Sequence, residues 1–312
     1  MNHSISQHTL ATKPVDISAT ARVMAIGKFD GLHIAHQSVL KQAVRRAEQG
    51  LGDPCLFAFT PHPRLALTGD QAYVRWLTPP SERAILARNY GVQCSYVAEF
   101  HHAFQRQTAQ EFVVDYLIPL GTRHIVVGYD FRFGKGGAYT TADLSEIALA
   151  YGISCDVVDH IDVDGAPVSS SRIRSALSEA DIQKATRLLG RPYQWRAKVI
   201  TGDQRGRTIG FPTANLDLLE PFVIPAAGVY GVDCMLADGT THRGMLNIGV
   251  RPTVKVQGQL TLEAHLLHFS GDLYGQEMVV RFLGHLRNER KFASLDELRK
   301  QLAQDAASAA EL

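Results

Sequence analysis

A chain of 312 residues has room for two ordinary domains, and 45% hydrophobic residues supply enough material for globular cores. Charged residues make up 20% and the formal net charge is +1. That balance excludes the broad basic field of a protein that grips long nucleic acid through its phosphates, and a small phosphorylated ligand fits better. No window reaches the length of a transmembrane helix, and residues 1–20 lack the apolar centre of a signal peptide. The reading is therefore a cytoplasmic protein with a disordered or frayed N-terminus over 1–20, no membrane or nucleic-acid partner, and a monomeric or weakly homo-oligomeric state. Cys55, Cys94, Cys155 and Cys234 are far apart and form no C-x-x-C pair, so they read as buried, reduced thiols rather than a disulfide or zinc framework.

From residue 21 onward, short apolar runs alternate with helical patterns. Strands are predicted at Val23–Ile26, Cys55–Phe59, Tyr96–Ala98, His124–Val127 and Ser154–Val158. Helices are predicted at Gln37–Gln49, Ser81–Asn89, Ala109–Leu117 and Ala142–Tyr151. Such alternation implies a parallel sheet covered on both faces, with its ligand beyond the carboxyl ends of the strands.

The first strand runs into Gly27-Lys28-Phe29-Asp30-Gly31-Leu32-His33-Ile34-Ala35-His36. A glycine-bearing turn that opens a helix offers free N–H groups and a positive dipole end to an anion. Gly27, Phe29, Asp30 and Gly31 are its candidate ATP-binding residues. His33 and His36, three apart, share a helix face and are candidates for stabilising a departing pyrophosphate. A tight loop with two surface histidines reads equally well from this segment alone. Thr60-Pro61-His62-Pro63-Arg64 adds a rigid histidine, His62, to the same edge. Gly128-Tyr129-Asp130-Phe131-Arg132-Phe133-Gly134-Lys135 supplies Phe131 and Phe133 as flavin or adenine walls and Asp130 as an acceptor or metal ligand. Ser169, Ser170, Ser171 and Arg172 follow the fifth strand, where hydroxyls and a guanidinium suit phosphate; a serine-capped helix with exposed arginines is the plainer reading.

A short helix at Asp181–Leu189 and the Gly190-Arg191-Pro192 turn form the junction. Beyond it Gln194–Thr201, Val229–Met235, His242–Ile248, Leu260–Leu266 and Met278–Phe282 read as strands without crossovers, an antiparallel barrel or sandwich closed by a helix from Leu295 to Ala309. Ser294 is its predicted N-cap and Glu297 stands at the capping-box position. Gly202, Arg205, Gly206, Arg207, Gly210, Phe211 and Pro212 lie in a glycine-rich stretch suited to wrapping phosphates. Thr213 and Asn215, two apart in an extended segment, face one way and offer neutral oxygens to Mg²⁺. In Thr261–Leu266, Glu263 falls on the face opposite Leu262, Ala264 and Leu266, and the pattern alone favours a solvent-facing glutamate.

The motifs G-x-F-D-G-x-H-x-x-H, F-x-P-H-P-R, G-x-D-F-x-F-G-K and S-S-S-R-I-R, in this order, resemble the FMN adenylyltransferase domain of prokaryotic bifunctional FAD synthetases, nucleotidyltransferases with a Rossmann-like fold. The second half, with G-D-x-R-G-R-T-x-G-F-P-T-A-N-L, N-I-G-x-R-P-T-V, L-E-x-H-L-L and L-R-x-E-x-K-F, resembles the riboflavin kinase module, a small barrel with a C-terminal helix. The resemblance implies an α/β Rossmann-like adenylyltransferase domain over 21–188 and a β-barrel kinase domain over 189–312. It implies that His33, His36 and Ser169–Arg172 hold ATP phosphates and that Asp130 lies near the FMN phosphate and metal. It also implies that Thr213 and Asn215 serve Mg-ATP, that Glu263 is the general base, and that Arg287, Glu289 and Phe292 border the flavin. The expected substrates and products are riboflavin, ATP, FMN and FAD. The chain departs from the family pattern at Ala35, where glycine is usual, in the segment 136–141, at Val250, and at His268, where aspartate is usual. A riboflavin kinase with an inactive or regulatory N-terminal domain, and a non-catalytic flavin-responsive binder, are the competing readings.

Overall fold

The computed structural model describes residues 6–11, 13–14, 19–201, 210–251 and 259–312. Contacts along the chain divide it into two compact units, Met1–Ser170 and Ser171–Leu312. No helix among the described residues is long and apolar enough to cross a membrane.

In the first unit β1 (Ser6–Leu10), β2 (Arg22–Ile26), β3 (Asp53–Thr60), β4 (Cys94–Glu99), β5 (Thr122–Gly128) and β6 (Ser154–Val158) form one sheet in the order β1-β4-β3-β2-β5-β6. All its pairings are parallel. The helices are α1 (Ile34–Arg46), α2 (Pro63–Thr68), α3 (Pro80–Arg88), α4 (His102–Gln105), α5 (Ala109–Phe112) and α6 (Thr141–Ala150). Successive side chains of a strand point to opposite faces, and here both faces are buried. Val23 and Ala25 join a core with Leu40, Ala43 and Leu86, while Met24 and Ile26 join an aromatic core with Phe57, Phe112 and Tyr116. The chain builds outward from β2 through β3 to β4, then returns to place β5 on the other side of β2. The crevice between the loops after β2 and β5 is thus the topological switch point, where such sheets bind ligands.

Two expectations are corrected. The N-terminus is not frayed throughout, because β1 pairs in parallel with Cys94–Ala98 and Lys13 forms an ion pair with Asp115. The cysteines are not all reduced thiols either: Cys55 and Cys94 form a disulfide. They are register partners on β3 and β4, with Cα atoms 4.8 Å apart, inside the span a disulfide bridges. Cys155 and Cys234 are free.

A small hairpin, β7 (Asp162–Val163) with β8 (Ala166–Pro167), precedes α7 (Ser170–Ser178) and α8 (Ile182–Leu189). In the second unit β9 (Gln194–Ile200), β10 (Ala214–Leu218), β11 (Gly228–Leu236), β12 (Thr241–Arg251), β13 (Gln259–Leu266) and β14 (Glu277–Arg287) close into a barrel, followed by α9 (Leu295–Ala310). Five of these strands match predicted ones, and β10 includes Asn215, in the segment that read as extended. Inward-facing Trp195, Tyr230, Leu262, Ala264 and Phe282 fill the barrel, and the Trp195 and Phe282 rings meet edge-on at 4.7 Å. Ser294 caps α9 as expected, its hydroxyl accepting the Glu297 N–H, while the Glu297 carboxylate reaches back to the Ala293 N–H.

In the first unit the end of α1 is tied to the sheet by charge. Arg46 donates to both oxygens of Asp156, Gln42 donates to one of them, and the buried His124 sits 3.2 Å from Asp156 and 2.6 Å from the Ser154 hydroxyl. The Arg46 hydrogen bonds hold the Asp156 carboxyl well below the usual carboxylate range, and burial lowers His124 despite the neighbouring carboxylate. Both groups therefore bind fewer protons folded than unfolded, so their stabilisation is present at neutral pH and is lost as pH falls. Between about pH 7.5 and 5.5, the histidine range, the thermal midpoint should fall. His124→Gln should show a shallower fall over the same window, measured by thermal denaturation of both proteins.

Candidate functional site

The loop after β2 adopts a conformation that its side chains would ordinarily resist. Phe29 has φ 51° and Leu32 φ 43°, each costing about 1–2 kcal/mol. Both side chains are buried in the core beneath α1. Burying such side chains stabilises by about 1.5–3 kcal/mol each, enough to hold the turn. Phe29 thus anchors the loop from below, its ring centroid 5.2 Å from that of His36. Asp30 is buried as well, and its carboxylate accepts the Leu77 and Thr78 N–H groups at 2.8 and 3.1 Å.

His33 is the N-cap of α1, its Nδ1 accepting the His36 N–H at 3.3 Å. An accepting Nδ1 leaves the proton of the neutral ring on Nε2. The His33 and His36 rings stack with centroids 3.6 Å apart, so the shared face expected from their spacing is present. His62 repeats the device at the start of α2, Nδ1 accepting the Arg64 N–H at 3.1 Å, with its ring packed on Tyr73 and Trp76.

Ser170 joins this loop directly, its hydroxyl donating to the Asp30 carbonyl at 2.8 Å. Ser169 is half-buried just before α7. Ser171 and Arg172 belong to the first turn of α7, in the second compact unit. Asp130 is exposed after β5, beside Gly128. The Phe131 and Phe133 rings stack at 5.8 Å, but Phe133 is buried against Phe112 and Tyr139, so its ring serves the core. Gly134, at φ +71°, lets Tyr139 pack there, since a Cβ would lie 2.6 Å from that ring.

Arg83 on α3 gave no signal in the sequence. It is fully buried beneath the loop, donates to the Lys28 carbonyl at 2.6 Å and lies over the Trp76 ring. Nε and the second terminal nitrogen have no hydrogen-bond partner. Desolvation lowers its pKa to about 10, against the opposing pull of Asp30. A cation held at this cost biases the loop above it toward anions.

In the second unit a cavity of about 290 Å³ lies between the outer barrel wall, the segment after β14, and α9. Phe211, Thr213, Glu263, Arg287, Glu289 and Phe292 line it, six residues singled out from the sequence. Strand register explains the convergence. Glu263 pairs with Asn215 on one side and Asn247 on the other, Asn247 pairs with Val229, and Val229 with Arg287. Directly paired residues share a face, and Leu262, Ala264 and Leu266 occupy the other, inside the barrel. Asn215 stands one strand from Glu263, outside the cavity lining. Glu289 reaches across Gly249, where a Cβ would come within 2.5 Å of its Oε1.

Arg287 makes a forked contact with the buried Asp305 of α9, at 2.8–3.0 Å, and Gln301 donates to the same carboxylate. Its guanidinium is committed to the helix, which makes Arg287 part of the cavity's frame. Arg290 and Arg287 both lie over the Phe292 ring. Val229, Met245, Asn247, His265, Arg290, Leu298 and Leu302 complete the lining and were missed. The alternation around N-I-G and L-E-x-H was the available signal for three of them. Gly210 has φ +84° and Pro212 is exposed, whereas Gly202, Arg205, Gly206 and Arg207 lie outside the described residues.

Comparison with known proteins follows this division. A FAD synthetase family model matches residues 16–172, and a riboflavin kinase model matches 189–312. The bifunctional riboflavin kinase/FMN adenylyltransferase of Listeria monocytogenes is 38% identical over 284 residues, covering 91% of this chain and 90% of its own. The chain belongs to the bifunctional riboflavin kinase/FMN adenylyltransferase family. The Escherichia coli member is 36% identical over 93% of this chain and 92% of its own. The crystal structure of a macrolide-efflux protein from Streptococcus pneumoniae superposes with a TM-score of 0.91 at 30% identity, over 99% of this chain and all of that one. Against the family pattern, His268 occupies a turn at φ 56°. Aspartate and histidine are both enriched in that left-handed region, so the replacement preserves the backbone.

Replacing Arg83 with methionine keeps the bulk and removes the cation and its bond to Lys28. Hydrogen–deuterium exchange should then rise in peptides spanning 27–33 while barrel peptides stay unchanged; unchanged exchange at 27–33 would remove Arg83 as the loop's support.

Proposed function

We propose that the chain phosphorylates riboflavin to FMN and adenylylates FMN to FAD with release of pyrophosphate, using ATP in both steps. The observation that carries this reading is the presence of both family modules on one chain, with Glu263 set in a cavity of the second. The functional domains we assign are 21–188 for adenylylation and 189–312 for phosphorylation.

In the kinase step Glu263 takes the proton of the ribityl 5′-hydroxyl as that oxygen bonds to the γ-phosphorus of ATP and ADP leaves. Val229, Met245, Phe292, Leu298 and Leu302 give the cavity apolar walls for the flavin ring, while Glu289 and Arg290 give it a polar rim. Thr213 and Asn215 offer a hydroxyl and an amide oxygen. That donor set fits Mg²⁺ arriving on ATP phosphates, since this ion commonly keeps few protein ligands beside phosphate oxygens. Bound there, Mg²⁺ would offset phosphate charge.

In the adenylylation step an oxygen of the FMN phosphate attacks the α-phosphorus of ATP and pyrophosphate leaves. No protein nucleophile is needed. His33, whose neutral ring carries its proton on Nε2, and His36 stabilise the charge that builds on the departing phosphates. Phe29, Asp30 and Arg83 hold the loop in which they sit. Asp130 faces the FMN phosphate and its metal, and Ser169, Ser170, Ser171 and Arg172 take the nucleotide phosphates. The setting we assign is the cytoplasm, with the chain acting as a monomer or weak homo-oligomer.

Purified protein incubated with Mg-ATP and either riboflavin or FMN, followed by chromatography of the flavins, tests both steps. Glu263→Gln should lower FMN formation about 10²–10⁴-fold, the usual weight of a general base, and leave FAD formation from supplied FMN intact. His36→Ala should do the reverse. A folded Glu263→Gln protein that loses both activities together would sink the two-site reading. Ala35→Gly should preserve or raise adenylylation, and a clear loss would show that the methyl group is needed in that turn.

A further inference from the structure

The β10–β13 ladder is short, its register partners being Ala214 with Ala264 and Asn215 with Glu263. Continued by one step it would set Thr213 opposite His265, and by two steps Pro212 opposite Leu266. Proline has no N–H and cannot extend a ladder as a donor. A side chain takes over at this point: His265 Nδ1 lies 2.7 Å from the Pro212 carbonyl oxygen. A carbonyl only accepts, so Nδ1 carries the proton. The Phe211 ring packs edge-on against the same imidazole, centroids 5.3 Å apart. Phe211, Thr213, Glu263 and His265 all line the cavity. Glu263 and His265 are two apart on β13 and share its outer face.

We propose that His265 is a positioning residue for phosphoryl transfer, fixing the Phe211–Thr213 segment to the strand that carries Glu263. It acts through the Pro212 carbonyl, touching neither the phosphates nor the reacting hydroxyl. The distance it sets is that between the residue offered to Mg-ATP and the general base. The barrel itself does not need this bond, because β10 is paired to β9 from Asn215 to Leu218 and the core side chains point inward.

This inference rests on the kinase reading of the cavity. The test is steady-state riboflavin phosphorylation by the full chain, varying Mg-ATP and riboflavin separately, for wild type, His265→Ala and His265→Asn. FMN adenylylation and the thermal midpoint are measured on the same preparations. His265→Ala should raise KM for Mg-ATP about three- to tenfold, the net worth of one neutral hydrogen bond. KM for riboflavin and the adenylylation rate should stay unchanged. His265→Asn, whose amide N–H falls near the Nδ1 position, should recover most of the loss. An unchanged KM for Mg-ATP in His265→Ala, or equal losses in the two variants, would overturn the proposal. A general loss for both substrates with a lowered thermal midpoint would reduce His265 to structural support. Wild-type protein that makes no FMN from riboflavin would defeat the kinase reading itself, and this inference with it.

Discussion

Closure of six strands is the constraint on which the second unit depends. A closed antiparallel barrel has no free edge, and every strand must alternate inward and outward side chains around it. Once Leu262, Ala264 and Leu266 fill the interior, Glu263 has no alternative to the outer wall. The same parity carries Asn215 and Asn247 to its flanks through the paired strands. A one-residue slip would exchange the glutamate with core leucine or alanine, so the fold's own hydrophobic effect protects the register of the site. The outer wall becomes a cavity only because α9 covers it, tied down by Asp305 to Arg287 and by Leu302 and Ala306 against Val229 and Met245.

The first unit solves a different problem. Its sheet is buried on both faces, so the site is confined to loops at one end. The loop after β2 holds an unfavourable backbone because Phe29 and Leu32 are sunk into the core and Asp30 and Arg83 occupy its underside. Lys28 is the residue of this turn that is exposed, and the His33 imidazole at its end is itself buried. Histidine caps at α1 and α2 share one tautomer, and each derives its orientation from a backbone N–H two or three residues on.

Much of this was legible in the sequence, for identifiable reasons. Apolar runs marked β2 to β5 because both faces of the sheet are buried there, and alternation marked β13 because only one of its faces is. Residues brought together by neighbours in sequence, such as His33 with His36, could be read from spacing. Those brought together by register around a closed surface could not. Asn247, Met245 and Val229 meet Glu263 only after three strands have paired. The Cys55–Cys94 pair depends on the alignment of two parallel strands, which spacing does not encode. Arg83 looks like any charged residue of a short helix, and β10 showed only as the extended segment of Thr213 and Asn215, because Pro212 and the glycines before it read as loop. Phe29 and Phe133, assigned to ligand contact by motif, are buried and support the loops that carry the motif, which spacing did not show.

Two compact units on one chain also fix a quantity that separate enzymes leave to expression. Every molecule that carries the riboflavin kinase module carries one FAD synthetase module, so the ratio of the two is set at translation and is insensitive to how much protein a cell makes. The balance between FMN and FAD then has to be adjusted through the turnover of each site, and substitutions that tune one unit's rate become the available means of changing it.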